Sequence, residues 1–140
     1  MFSETLSHLN WLHVLVAAIG YFALGSIWYS PILFAKPWVK YSGINMADPN
    51  AKKGVGAIMF GSFIMMLIAT IGLALMLQLL PAINVLGGIK EGILVGVCFS
   101  TTAISVNYLY NKKPLPLYFI DCIYHIIGLA IAGAILAGWR

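Results

Sequence analysis

The sequence predicts an all-α membrane domain, a bundle of four spanning helices with a short interfacial segment after the first. Two observations point there. Apolar residues fill 61% of the 140 positions and charged residues only 9%. A soluble domain carries about 25% charged residues, because they must cover its surface. Eight Lys/Arg and four Asp/Glu are too few for that, so lipid is the expected solvent. The second observation is length: four apolar runs come close to or exceed the roughly 20 residues a helix needs to cross a bilayer. One domain over residues 1–140 holds them all.

The runs cover about 9–29, 54–80, 92–110 and 117–139. The second and third contain no charge, and the fourth is interrupted by Asp121 and His125. Prolines mark the breaks: Pro31 and Pro37, then Pro81, then Pro114 and Pro116. Proline lacks the N–H that continues a helix, so it collects at helix ends. Inside lipid the backbone must satisfy itself, which leaves helices or closed barrels. The runs lack the period-two alternation of barrel strands, so helices are expected.

Lysine placement sets the expected orientation. Residues 30–53 carry Lys36, Lys40, Lys52 and Lys53, and the turn 111–115 carries Lys112 and Lys113. Four spans put both loops on one side, opposite Lys90 and Arg140. Lys/Arg excess marks the cytoplasmic face, which places both termini outside a cell (inner) membrane. The first run lacks the basic start and small-residue cleavage site of a signal peptide, so it is expected to stay as a span.

The stretch GSIWYSPILFAKPW, residues 25–38, then reads as a membrane boundary. About 20 residues at 1.5 Å each carry the chain from Asn10 to Trp28 and Tyr29. Trp and Tyr favour the interface, since their rings are oily with one polar atom. Trp28 and Tyr29 are therefore expected anchors at one face, Trp11 and Trp139 at the other. After Pro31, apolar Ile32, Leu33, Phe34, Trp38 and Val39 are interleaved with Lys36 and Lys40, as in a segment lying along the lipid surface with Trp38 as a further anchor.

Leu9-Asn10-Trp11-Leu12, Gly25-Ser26-Ile27-Trp28-Tyr29-Ser30-Pro31 and Phe34-Ala35-Lys36-Pro37-Trp38 together resemble the start of a family of small bacterial membrane proteins, domain of unknown function 1761. Tyr124-His125-Ile126-Ile127-Gly128 through Gly138-Trp139 is similar to its end. The resemblance implies a four-span bacterial membrane protein and carries over no activity, cofactor or site residue.

Helices in lipid associate through close packing of small residues. At about 100° per residue, Gly92, Gly96, Ser100, Ala103 and Asn107 share one stripe of the third span. Asp121, His125, Gly128 and Ala132 share one of the fourth. The short turn between them makes these helices antiparallel neighbours. Counting outward from it pairs Asn107 with Asp121, Ala103 with His125, Ser100 with Gly128 and Gly96 with Ala132, so the stripes are expected to face each other or a shared crevice. A second small seam on the fourth span, Ala130, Ala134, Ala137 and Gly138, suits the first or second span or a second copy of the chain.

Asp121 and His125 stand i, i+4, close enough to meet on a helix surface. Ionisable groups in a span are costly and are functional candidates by default. Asn107, Tyr118 and Tyr124 complete an expected polar cluster, with Asp121, His125, Asn107 and Tyr124 as binding or proton-relay candidates. The structural alternative is an Asp pairing with Lys112 or Lys113 and a His bonded to a carbonyl. His13, in line with Ala17 and Gly20, is expected to pack near the outer face. The Ser100-Thr101-Thr102 hydroxyls are expected to bond back to the helix.

There is no HExxH, CxxC or phosphate-binding loop, and no metal site or cofactor is expected. Cys98 and Cys122 are expected to be small buried packing residues, too far apart for a disulfide. Lys90-Glu91 is expected at the outer edge of the third span. The net charge of +4 comes from loop lysines, so it reports topology and not nucleic-acid binding. The bilayer is the expected partner, with a homo-oligomer as a further expectation. Two functions fit: a small-solute or ion transport protein using Asp121 and His125 as a protonatable pair, or a non-catalytic scaffold or accessory subunit. An Asp–His pair without a nucleophile or metal set gives little ground for an enzyme.

Overall fold

The computed structural model describes residues 1–81 and 83–139. Four helices are long and apolar enough to cross a bilayer: Trp11–Trp28, Val55–Gln78, Val85–Tyr110 and Leu115–Gly138. Two short helices flank the first of these spans, Phe2–Ser7 before it and Ala35–Ser42 after it. The second of them is the interfacial segment; the first had no signal in the sequence pattern.

Local chemistry explains the boundaries. Asn10 opens the first span, its side-chain oxygen accepting from the His13 N–H at 3.2 Å. Asn84 opens the third in the same way, accepting from Gly87 N–H at 2.8 Å. That start lies before the expected Gly92, so Lys90 and Glu91 sit within the helix and not at its edge. Pro114 and Pro116 flank the first residue of the fourth span, where no intrahelical N–H is required. Gly43, at φ +78°, closes the surface helix in the left-handed conformation that favours glycine.

The fourth span is the centre of the bundle: half of it is buried, against about a tenth of the third. It contacts the first span along one side and the third along another, and the first also packs on the second. Third and fourth spans approach to backbone contact. A Cβ on Gly88 would lie 2.1 Å from the Gly133 carbonyl oxygen, and one on Gly92 would lie 2.1 Å from that of Leu129. Only glycine permits this separation.

The antiparallel register differs from the expected one. Gly88 faces Gly133 and Ala137, Gly92 faces Leu129 and Ala130, and Gly96 faces Ile126. The seam of Ala130 and Ala137 thus takes the third span, not the first, the second or another copy. Gly128, expected against Ser100, lies instead under the Tyr21 ring of the first span. Ala132, expected against Gly96, is fully buried.

The second difference has a clear cause. Gly96–Thr101 is a π-helical turn inside the third span. A π turn holds one residue more than an α turn, so the buried face moves on by one position. Beyond Gly96 the expected stripe therefore fails. Ala103 and Asn107 are exposed and Ser100 is half-buried, while Ser105 and Tyr108 turn towards the fourth span. Cys98, expected to be buried, is exposed, whereas Cys122 is buried.

Candidate functional site

The site grows from the first span. Tyr21, Gly25 and Tyr29 follow one another at four-residue spacing, on one face of that helix. The chain then folds back on itself: Phe34 N–H donates to the Trp28 carbonyl at 3.0 Å and Ala35 N–H to that of Ser30 at 3.1 Å. This return packs Phe34 on the Trp28 ring, centroids 4.6 Å apart, and Trp38 edge-on to Tyr29 at 5.8 Å.

Trp28 is not an interface anchor. It is 8% exposed, and its indole N–H donates to the Ile120 carbonyl of the fourth span at 3.0 Å. Burial is possible because that carbonyl meets its one polar atom. Tyr29 and Trp38 are half-buried around the same packing. Trp11 and Trp139 stay about half exposed, with the Trp139 ring tilted against His13 at 4.4 Å.

Asp121 is 6% exposed. Tyr29 donates to its Oδ1 at 2.6 Å, and Tyr108 of the third span donates to its Oδ2. Both carboxylate oxygens are thus held by phenols from two different spans. Neither Lys112 nor Lys113 pairs with it among the described residues. One turn on, His125 Nδ1 shares a hydrogen bond with the Tyr21 hydroxyl. Tyr124 is 1% exposed, donates to the Tyr21 carbonyl at 3.1 Å and stands 3.5 Å from Met66 Sδ of the second span.

Two glycines make room for these rings. A Cβ on Gly25 would come within 2.9 Å of the Tyr124 hydroxyl, and one on Gly128 within 2.6 Å of the Tyr21 ring. Around Asp121, Cys122 Sγ lies 4.0 Å from Ser105 Oγ, and Thr101 Oγ1, in the π turn, is buried beside them.

Of the expected cluster, the structure gathers Asp121, His125 and Tyr124 but leaves Asn107 outside. Its side chain faces away and accepts from Asn111 Nδ2 at 2.7 Å. Tyr118 touches the cluster only through Tyr108, edge to face at 5.3 Å. Tyr21, Tyr29 and Tyr108 are the partners that sequence reading missed. The four-residue repeat Tyr21-Gly25-Tyr29 was a legible signal for two of them. Two cavities lie elsewhere. The larger, about 650 Å³, opens near the termini and is lined by His8, His13, Gln78 and Trp139. Among the described residues no three His, Cys, Asp or Glu side chains converge as metal ligands.

No curated protein and no solved structure matches the chain. The family described as Protein of unknown function (DUF1761) matches residues 12–137, and the chain belongs to it.

Proposed function

We propose that this protein moves protons, alone or with a small solute or ion, across a cell (inner) membrane, and that Asp121 is the group that takes up the proton. One observation carries the reading: a carboxylate on a spanning helix, 6% exposed, is met by two tyrosine hydroxyls and by no cation among the described residues. An ionised carboxylate accepts at both oxygens; a protonated one must also donate. When Asp121 gains a proton its new O–H needs an acceptor, and the Tyr29 or Tyr108 hydroxyl can be that acceptor by turning its own hydrogen away. Protonation is thereby coupled to the contacts that join the first, third and fourth spans.

Tyr108 is the partner placed to give way. It sits on Thr102–Tyr110, which contains no buried residue. Segments with little burial open at low cost in free energy. The lysine-rich end, read as cytoplasmic, is then the side from which Asp121 is reached. His125 with Tyr21 extends the polar line towards the middle of the bundle. A homo-oligomer fits this reading, since the second and third spans leave most of their surface uncovered.

A non-catalytic scaffold is the second reading. It is favoured by the fact that neither Asp121 nor His125 lines the 650 Å³ cavity or the 330 Å³ groove. Purified protein in liposomes separates the two, with protons, monovalent ions and small cations as trial solutes. Asp121→Asn and His125→Gln keep size and a hydrogen-bonding side chain but remove titration, Asn offering one acceptor and one donor group as the protonated acid does. Transport predicts that Asp121→Asn abolishes flux while thermal stability in detergent holds. Flux untouched by both substitutions removes the pair from the mechanism; lowered stability with flux that follows folded protein assigns it to the scaffold.

A further inference from the structure

The chain reversal after the first span lays the surface helix Ala35–Ser42 beside the start of the fourth span. A groove of about 330 Å³ runs between them. Phe34, Pro37 and Tyr41 line one wall and Leu115, Pro116 and Phe119 the other. The lining is wholly apolar. It also lies at a helix end, where a bilayer changes from acyl chain to headgroup.

Lysines adjoin both walls in sequence. Pro37 and Tyr41 stand i, i+4 on the surface helix, and Lys36 and Lys40 form the adjacent stripe. Lys40 Nζ lies 5.3 Å from the centroid of the groove-lining Tyr41 ring. Lys112 and Lys113 lead directly into Leu115 on the facing wall. Lys36, Lys40, Lys112 and Lys113 are all exposed, and none pairs with a carboxylate among the described residues. An apolar trough whose two walls adjoin uncommitted lysines in sequence is complementary to one class of molecule.

We propose that this groove binds an anionic phospholipid, one acyl chain between Tyr41 and Phe119 and the headgroup phosphate on Lys36 and Lys40. The site is independent of any proton movement at Asp121. Basic pockets of this kind beside spanning helices hold anionic headgroups, each lysine contributing a several-fold gain in affinity.

Thermal unfolding in uncharged detergent, titrated with phosphatidylglycerol, phosphatidylcholine or glycerol phosphate, tests it. Phosphatidylglycerol should raise the midpoint saturably, and phosphatidylcholine at the same concentration should not. Lys36→Gln with Lys40→Gln should weaken the half-saturating concentration by about fivefold per lysine. Lys52→Gln with Lys53→Gln, on the same loop but outside the groove, should leave it unchanged. Four results would each overturn the proposal: equal protection by phosphatidylcholine, which shows a chain without headgroup recognition; equal protection by glycerol phosphate, which shows a phosphate site alone; equal weakening by the Lys52/Lys53 pair, which shows diffuse charge; and the absence of a saturable shift.

Discussion

At the scale of single residues, the bundle depends on where side chains are missing. Gly92 stands against the Leu129 carbonyl, and a Cβ there would lie 2.1 Å from its oxygen. Gly72, on the second span, would present its Cβ to open space. Gly92→Ala should therefore force the third and fourth spans apart and cost about 1–3 kcal/mol, the usual range for overpacking. Gly72→Ala should be neutral or slightly stabilising, because glycine within a helix is worse than alanine by about 0.5–1 kcal/mol. Thermal melts in detergent compare them, and equal losses would mean that the close approach is absent. The same scale shows what sequence reading could reach. Gly92 and Gly96 were legible as a packing stripe because small residues at four-residue spacing have few other uses in a span. Trp28 was not legible. Interfacial tryptophan is common, and nothing in the pattern said that the chain would return over it or that the Ile120 carbonyl would meet its N–H.

At the scale of elements, the third span is two half-helices in different registers. Its first half, Val85–Val95, is held by Gly88 and Gly92 against the fourth span. Its second half reaches the same helix through Ser105 and Tyr108. The π turn Gly96–Thr101 reconciles the two faces. Strict counting at 100° cannot foresee that extra residue, so it chose Ala103 and Asn107 where the structure uses Ser105 and Tyr108. The existence of the four spans was legible for the opposite reason: it depends on run length and proline breaks, which an inserted residue leaves intact. A deletion pair tests the register. Removing exposed Phe99 should convert the π turn to an α turn and leave both flanking faces in place, so the fold and its melting temperature should largely survive. Removing exposed Val106 rotates Tyr108 by about 100° away from Asp121 and should destabilise clearly. If the Phe99 deletion were the more damaging of the two, the turn would not be a one-residue insertion.

At the scale of the whole molecule, an asymmetry of charge meets an asymmetry of structure. One end carries the surface helix and the turn before Leu115, with six of the eight Lys/Arg. The other end carries the helix Phe2–Ser7, the His13–Trp139 ring contact and the 650 Å³ cavity. Lys90 belongs to this second end by sequence, and Arg140, assigned there too, lies outside the described residues. Short lysine-rich loops are retained in the cytoplasm, so the cavity end should face outward. Asp121 is six residues into the fourth span, roughly 9 Å from its lysine-side end. Orientation therefore also decides from which compartment a proton has the shorter route to it. Cysteine labelling of intact cells with a membrane-impermeant thiol reagent resolves this, on a background in which Cys98 and Cys122 are replaced by alanine. Ser3→Cys and Asn45→Cys place the probe on exposed positions at opposite ends. Ser3→Cys should label in intact cells and Asn45→Cys only after permeabilisation. The reverse pattern would put the lysines outside, move the short route to Asp121 to the external face, and set the apolar groove beside Tyr41 on that side too.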